Sequence, residues 1–118
     1  MALDMTGPVV VRLPVEIDMV NCEAVCEQLR LACSPGVTAV IADLTSTVFC
    51  DSAGVRGLII AYRFAAGRDT QVRLAAAHPS MARILEVTGA DQLMPVYPSL
   101  AAAMAGSGAS LPQHRAPG

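Results

Sequence analysis

The sequence has few charged residues, few aromatic residues, and no lysine or tryptophan. Charged residues make up 15% and aromatic residues 3% of the 118 residues, and the net charge at pH 7 is −2. The chain therefore lacks the basic electrostatic footprint of a nucleic-acid-binding protein. Hydrophobic residues make up 53% of the chain. We expect one compact domain whose core is built almost entirely from aliphatic side chains.

Long apolar runs and paired cysteines are also missing. No apolar run reaches the roughly 20 residues that span a bilayer, and the N-terminus lacks the regions of a signal peptide. We predict a cytoplasmic protein that does not enter the membrane. The four cysteines, Cys22, Cys26, Cys33 and Cys50, form no C-x-x-C pair. We interpret them as small buried hydrophobic residues in a reducing compartment.

Catalytic and cofactor motifs are absent. The sequence has no P-loop, no G-x-G-x-x-G after a strand, and no G-x-S-x-G around Ser52. His78 is interpreted as a surface helix cap. Asp18, Asp43 and Asp51 could meet in a Mg²⁺ site, although turn and cap chemistry explains them better. We predict a protein that is not an enzyme and binds no cofactor or metal. A hydrolase using Ser52 is a minor alternative without an identifiable base.

Strands and helices alternate along the chain. Predicted strands cover residues 9–13, 37–44, 71–75 and 94–97, and predicted helices cover residues 20–33, 51–66, 81–87 and 100–105. This order predicts an α/β domain with helices on a mostly parallel sheet. A short edge strand before Pro8 and an antiparallel N-terminal pair are compatible with the pattern. We assign residues 1–105 to the domain and residues 106–118 to a disordered tail.

Residues 37–66 organise the chain. An apolar run typical of a buried strand leads through a polar loop to the turn at residues 50–54, and a helix with apolar residues at spacings of three and four follows. Asp51 and Ser52 are good N-cap residues for that helix. A hydroxyl group at a helix N-terminus lies where the helix dipole favours an added phosphate.

The tetrapeptide DSAG at residues 51–54, between the buried strand and the apolar helix, resembles the signature of bacterial anti-sigma factor antagonists of the STAS family (sulfate transporter and anti-sigma factor antagonist). The segment VEID at residues 15–18 is similar to the family's G-E-[LIV]-D. Residues 75–89, AAAHPSMARILEVTG, are similar to its strand followed by S-P-x-V-x-x-[LI]-[LF]-x-x-[ST]-G. The resemblance covers about residues 8–105. It departs at Val15, where the family has Gly, at Ala53, where many members have a second hydroxyl, and at Arg56, where members often have Gly.

The resemblance implies a STAS fold: a sheet of about four to five mostly parallel strands with an antiparallel edge strand, and about four helices. It also implies regulation of transcription by partner switching, as in stress responses. The unmodified protein would bind an anti-sigma factor that is also a serine kinase, and so release a sigma factor. Phosphorylation of Ser52 would end this binding, and a PP2C-type phosphatase would reverse it.

The predicted partner-binding residues surround Ser52 in the sequence or match the family's early motif. They are Asp18, Asp51, Ala53, Gly54 and Arg56. The alternative function is a STAS module that binds a small ligand or nucleotide, or scaffolds a signalling complex. We expect a monomer or a weak dimer.

Overall fold

The computed structural model describes residues 7–106. The strands are β1 Gly7–Arg12, β2 Glu16–Ile17, β3 Val37–Asp43, β4 Phe49–Cys50, β5 Gln71–Ala75 and β6 Val96–Tyr97. The helices are α1 Cys22–Leu31, α2 Ser52–Ala66, α3 Pro79–Thr88 and α4 Leu100–Ala105, with one turn of 3-10 helix at Ala90–Gln92. The predicted disordered tail lies outside the described residues from position 107 onward.

Four strands form the main sheet in the order β1-β3-β5-β6. All three pairings are parallel, as expected when helices connect successive strands. The predicted α/β fold with a mostly parallel sheet is confirmed. Within residues 7–106 no antiparallel edge strand is present, and the short edge strand predicted before Pro8 lies almost wholly outside the described residues. Pro8 lies inside β1 and does not end a strand. Within residues 7–106, β1 is at the edge of the main sheet, a position where proline is tolerated in a strand.

A second, two-stranded sheet joins residues 16–17 and 49–50, neither of which was predicted to be a strand. In it, β2 pairs in parallel with β4, with Glu16 opposite Phe49 and Ile17 opposite Cys50. The Thr47 hydroxyl group donates to the Pro14 carbonyl oxygen at 2.7 Å and ties together the segments that precede these strands. The prediction was wrong here because two-residue strands are too short to show the alternating pattern of a strand.

Helices cover both faces of the main sheet unequally. The larger core contains side chains of α1, α2 and α3 packed against one face, with fully buried leucines at its centre: Leu29, Leu58, Leu74 and Leu85. The smaller core lies under α4 and contains Ile41, Ala75, Tyr97 and Ala103. No helix within the described residues is long and apolar enough to cross a membrane.

Three of the four helices begin with a side-chain N-cap, and the caps at Asp51 and His78 were predicted from the sequence. Asp51 caps α2, His78 caps α3 and Ser99 caps α4, each by accepting a backbone N–H of the first turn. The exception is α1, which begins at Cys22, so Val20 lies in the preceding loop. Asn21 does not cap α1 with its side chain, because that side chain closes the loop before the helix.

Candidate functional site

At the start of α2, one residue caps the helix and the next is exposed to solvent. The Asp51 carboxylate accepts the Gly54 N–H at 2.9 Å and so acts as the N-cap. Ser52 is the first residue of α2, and its side chain is exposed. Its hydroxyl group has no hydrogen-bond partner within residues 7–106. The fold therefore uses Asp51 to start the helix and leaves the Ser52 hydroxyl available for other chemistry.

The small sheet brings the two acidic motifs to the same edge. Ile17 and Cys50 are the last paired residues of β2 and β4, and the Asp51 N–H donates to the Ile17 carbonyl oxygen at 3.0 Å. Because the strands are parallel, Asp18 and Asp51 leave the sheet side by side. Asp18 therefore lies next to the start of α2, although 33 residues of sequence separate the two aspartates.

The loop between β2 and α1 holds two exposed apolar side chains beside this edge. The Asp18 carboxylate accepts the Val20 N–H at 2.9 Å, and the Asn21 side chain accepts the Asp18 N–H at 2.9 Å. These bonds fix the loop, while Met19 is 76% and Val20 87% exposed. An ordered loop that holds apolar side chains in solvent is a feature of protein interaction surfaces.

We define the contact ridge as Ser52, Arg56 and Ile60, which follow one another at intervals of four residues on the exposed side of α2. One groove separates α2 from α1, and a second separates α2 from α3. All three ridge residues line both grooves. The first groove also exposes charged side chains of α1, namely Glu23, Glu27 and Arg30. Ser52 therefore lies at one end of a surface formed by three helices.

Arg56 is the basic member of the contact ridge. Its side chain is exposed, and it forms no ion pair or hydrogen bond within the described part of the chain. Across the first groove, Glu27 is already paired with Arg30 on the same helix. The Arg56 guanidinium group is thus free to bind an anion.

Gly54 lies beneath this surface and is buried. A Cβ atom at this position would lie 2.5 Å from the Cys50 Sγ atom and 2.8 Å from the Ile17 Cγ2 atom. Only glycine allows α2 to start so close to the small sheet. Gly54 therefore shapes the site from below, whereas Asp18, Asp51, Ala53 and Arg56 lie at least partly exposed around Ser52.

Cys50 lies beneath the start of α2, and Cys26 lines the groove between α1 and α2, whereas Cys33 lies just beyond the end of α1. Burial, together with the nearby Asp51 charge, raises the pKa of the Cys50 thiol to about 12. Burial also raises the pKa of Cys26 and of Cys33. Cys26 and Cys50 are buried and pack as small apolar groups, as the sequence predicts, whereas Cys33 is only half-buried. Cys22 is half-buried and lines the groove between α1 and α2.

No group of three or more histidine, cysteine or acidic side chains within residues 7–106 could hold a metal ion. Of the aspartates considered for Mg²⁺, Asp43 is buried, and its carboxylate accepts both the backbone N–H and the hydroxyl group of Thr45. Asp18 and Asp51 each bind a backbone N–H of the following turn. All three carboxylates therefore have the turn and cap roles that compete with metal binding.

Sequence reasoning missed the apolar part of the site. It assigned Val20 to a helix and did not select Met19 or Ile60, which are 76% and 45% exposed. The sequence does contain one signal for this surface. Met19 and Val20 directly follow an acidic turn, where an apolar side chain need not be buried. Exposure itself depends on tertiary packing and could not be deduced from the local sequence.

Comparison with known proteins adds independent information. A model of the STAS domain family matches residues 2–103. An anti-sigma factor antagonist from Mycobacterium paratuberculosis is 29% identical with a TM-score of 0.76, and the match covers 90% of each chain. No significantly similar sequence is found among curated proteins.

Two further solved structures share the fold. The anti-sigma factor antagonist SpoIIAA in its unphosphorylated form is 24% identical with a TM-score of 0.55, covering 73% of this chain and 77% of that one. A sulfate transporter family protein from Wolinella succinogenes is 13% identical with a TM-score of 0.64, covering 90% and 87%. At these identities the likeness concerns the fold alone.

Proposed function

This chain belongs to the STAS domain family, and we propose that it is an anti-sigma factor antagonist whose partner binding is controlled by phosphorylation of Ser52. The observation that carries the proposal is the exposed Ser52 hydroxyl at one end of the contact ridge. This hydroxyl is not needed to cap α2, because the Asp51 carboxylate caps that helix. The 29% identical relative is itself an anti-sigma factor antagonist. A cytoplasmic location would match this function.

In the unmodified state, the contact ridge and the exposed loop would bind an anti-sigma factor. Met19, Val20 and Ile60 supply apolar area for such an interface. Arg56 and Asp18 supply charges of opposite sign that can fix its register. Binding of the anti-sigma factor would leave the sigma factor free to act in transcription.

Phosphorylation would reverse this binding. The Ser52 oxygen would attack the γ-phosphorus of ATP held by the anti-sigma factor kinase. The bond to the bridging oxygen would break with release of ADP, and the hydroxyl proton would pass to a base of the kinase. The phosphate adds about −1.5 to −2 charges. Beside Asp51 in a dehydrated interface, poorly paired charge costs several kcal/mol, and each 1.4 kcal/mol or so lowers affinity tenfold. A PP2C-type phosphatase would restore the unmodified state.

The first experiment tests the modified residue. The purified protein is incubated with ATP, Mg²⁺ and each anti-sigma factor kinase of the source organism in turn, and added phosphate is measured by intact mass. We expect one phosphate on the wild type and none on Ser52→Ala. Equal phosphorylation of Ser52→Ala would refute the assignment.

The second experiment tests the charge mechanism. Binding of the same anti-sigma factor without ATP is measured by calorimetry for wild type, Ser52→Asp and Ser52→Asn. Aspartate and asparagine have the same size and differ in charge. We expect Ser52→Asp to lose at least tenfold in affinity and Ser52→Asn to bind almost as the wild type does. Equal affinities of the two variants would contradict the mechanism.

Binding of a small ligand is the second candidate, and the groove between α1 and α2 favours it. The groove has both acidic and basic walls and reaches Ser52. Titration with ATP and GTP, followed by heteronuclear NMR, separates the two functions. Saturable shifts along the groove in the absence of any protein partner would support a ligand-binding module. Unchanged spectra would exclude binding of these nucleotides and so favour the antagonist proposal.

A further inference from the structure

We propose that Arg56 binds the phosphate of phosphorylated Ser52 within the same helix, so that the modified protein carries its own counter-charge. The inference rests on the proposed phosphorylation of Ser52 and assigns a role to a residue that departs from the family pattern. The carrying observation is the juxtaposition of an exposed hydroxyl and an unpaired guanidinium group one helical turn apart on α2.

The helix geometry brings the two side chains together. Residues four positions apart on a helix have Cβ atoms about 5–6 Å apart. Ser52 and Arg56 also line the same two grooves, so both side chains point to the same side of α2. Helical side chains lean toward the N-terminus, which directs Arg56 toward Ser52. An anion that precedes a cation at this spacing is the favourable order.

Arginine suits this role by its chemistry. The guanidinium group has planar pairs of N–H donors that match two phosphate oxygens at once. A phosphoserine provides three such oxygens and a charge of about −1.5 to −2. The pair would therefore be stronger than the carboxylate pairs usual at this spacing.

The surrounding charges do not compete for Arg56. Across the groove between α1 and α2, Glu27 is paired with Arg30, and Arg56 has no carboxylate partner within residues 7–106. The Asp51 carboxylate binds the Gly54 N–H and carries the same sign as the phosphate. Glu23 lines the groove and is also acidic. Both acids therefore repel the phosphate, and Arg56 is the cation one turn away from it.

The pairing has a consequence for the switch. A phosphate partly neutralised by Arg56 within its own helix leaves the free domain folded, with a residual negative charge of about −0.5 to −1 at this point. It also occupies Arg56, which would otherwise contact the partner. Phosphorylation would thus remove one favourable charge from the contact ridge while it adds an unfavourable one.

The test introduces phosphoserine at position 52 during translation, so it needs no kinase. The pKa of the phosphate is measured by ³¹P NMR for proteins with Arg56, Arg56→Gln, Arg56→Lys and Arg63→Gln. A neighbouring cation favours the doubly charged phosphate and lowers its pKa. We expect Arg56→Gln to raise the phosphate pKa by at least about 0.3 pH unit, the size that an exposed carboxylate pair at this spacing supports. Arg56→Lys should keep part of the effect.

Arg63→Gln is the matched control, because Arg63 is also an exposed arginine of α2 but lies about 16 Å farther along the helix than Ser52. It should leave the phosphate pKa unchanged. An identical pKa for Arg56→Gln and the parent protein would overturn the pairing, as would an equal shift for Arg63→Gln. Failure of every kinase to modify Ser52 would instead refute the proposed function and leave the ³¹P result intact.

Discussion

A methyl group at position 54 should destabilise the domain, because neighbouring side chains already occupy the space that a Cβ atom of residue 54 would need. In Gly54→Ala the new Cβ atom would lie 2.5 Å from the Cys50 Sγ atom and 2.8 Å from the Ile17 Cγ2 atom. Carbon atoms in good contact are about 3.5–4.0 Å apart. Cys50 and Ile17 are 3% and 0% exposed, so neither side chain can turn into solvent.

The magnitude follows from two opposing effects. Overpacking of a well-packed core costs about 1–3 kcal/mol. Alanine is the better helix former and returns at most about 1 kcal/mol. We expect the free energy of unfolding to fall by about 1–2 kcal/mol, measured by urea denaturation with an unchanged m-value.

Two further variants test whether the close contacts at position 54 cause the loss of stability. In Gly57→Ala the nearest contact is the Cys22 carbonyl oxygen at 3.2 Å, and the next atoms are 3.8 Å or more away. This variant should be close to wild type in stability. Removing the Sγ atom with Cys50→Ala should make the Gly54→Ala substitution less costly than it is in the wild type. A Gly54→Ala protein as stable as wild type would refute the packing described for the start of α2.

Three other perturbations test separate features of the domain. Asp51→Ala should lose about 1 kcal/mol of stability in urea denaturation because the cap is removed, whereas Asp51→Asn, which keeps an oxygen acceptor, should lose much less. The pKa of Cys50 is raised from 9.0 to about 12, so the unfolded thiol ionises first and stability should fall above about pH 9 by at most about 1.4 kcal/mol per pH unit. A Cys50→Ala protein with the same alkaline slope would contradict this. Arg73→Ala removes the 2.8 Å hydrogen bond to the Ala103 carbonyl oxygen at the end of α4, so hydrogen exchange in α4 should accelerate about tenfold, and unchanged exchange would show that Arg73 does not anchor this helix.

The sequence predicts the parts of the fold that rest on local chemistry. The start of α2 follows from an aspartate three residues before the N–H that it accepts. Strand β3 follows from a largely apolar run, and β5 follows from a weak alternation of polar and apolar residues. The pairing of β2 with β4 could not be predicted in this way, because each strand has two residues and their partners lie 33 positions apart. The antiparallel N-terminal pair stays a prediction, because its edge strand before Pro8 lies almost wholly outside the described residues.

In the candidate site, too, the features set by local sequence can be predicted and those set by tertiary packing cannot. The position of Ser52 beside Asp51 can be deduced from the turn, and the structure adds which of the two performs the capping. The burial of Gly54 against Cys50 and the exposure of Met19 result from tertiary packing, which cannot be deduced from a short sequence pattern. A free hydroxyl at this point is therefore a property of the whole fold.

If Ser52 is phosphorylated as proposed, this division of labour would let the domain accept the phosphate without unfolding. If Ser52 were the N-cap, a phosphate on its hydroxyl would disturb the hydrogen bond that starts α2. Because Asp51 caps the helix, the phosphate would not disturb the cap, and the positive end of the helix and Arg56 would offset its repulsion by Asp51. The buried side of the same turn is fixed by Cys50 and Ile17 around Gly54. The backbone of the site is thus rigid from below while its outer surface is open to modification, and a switch at this position can change binding without changing the fold.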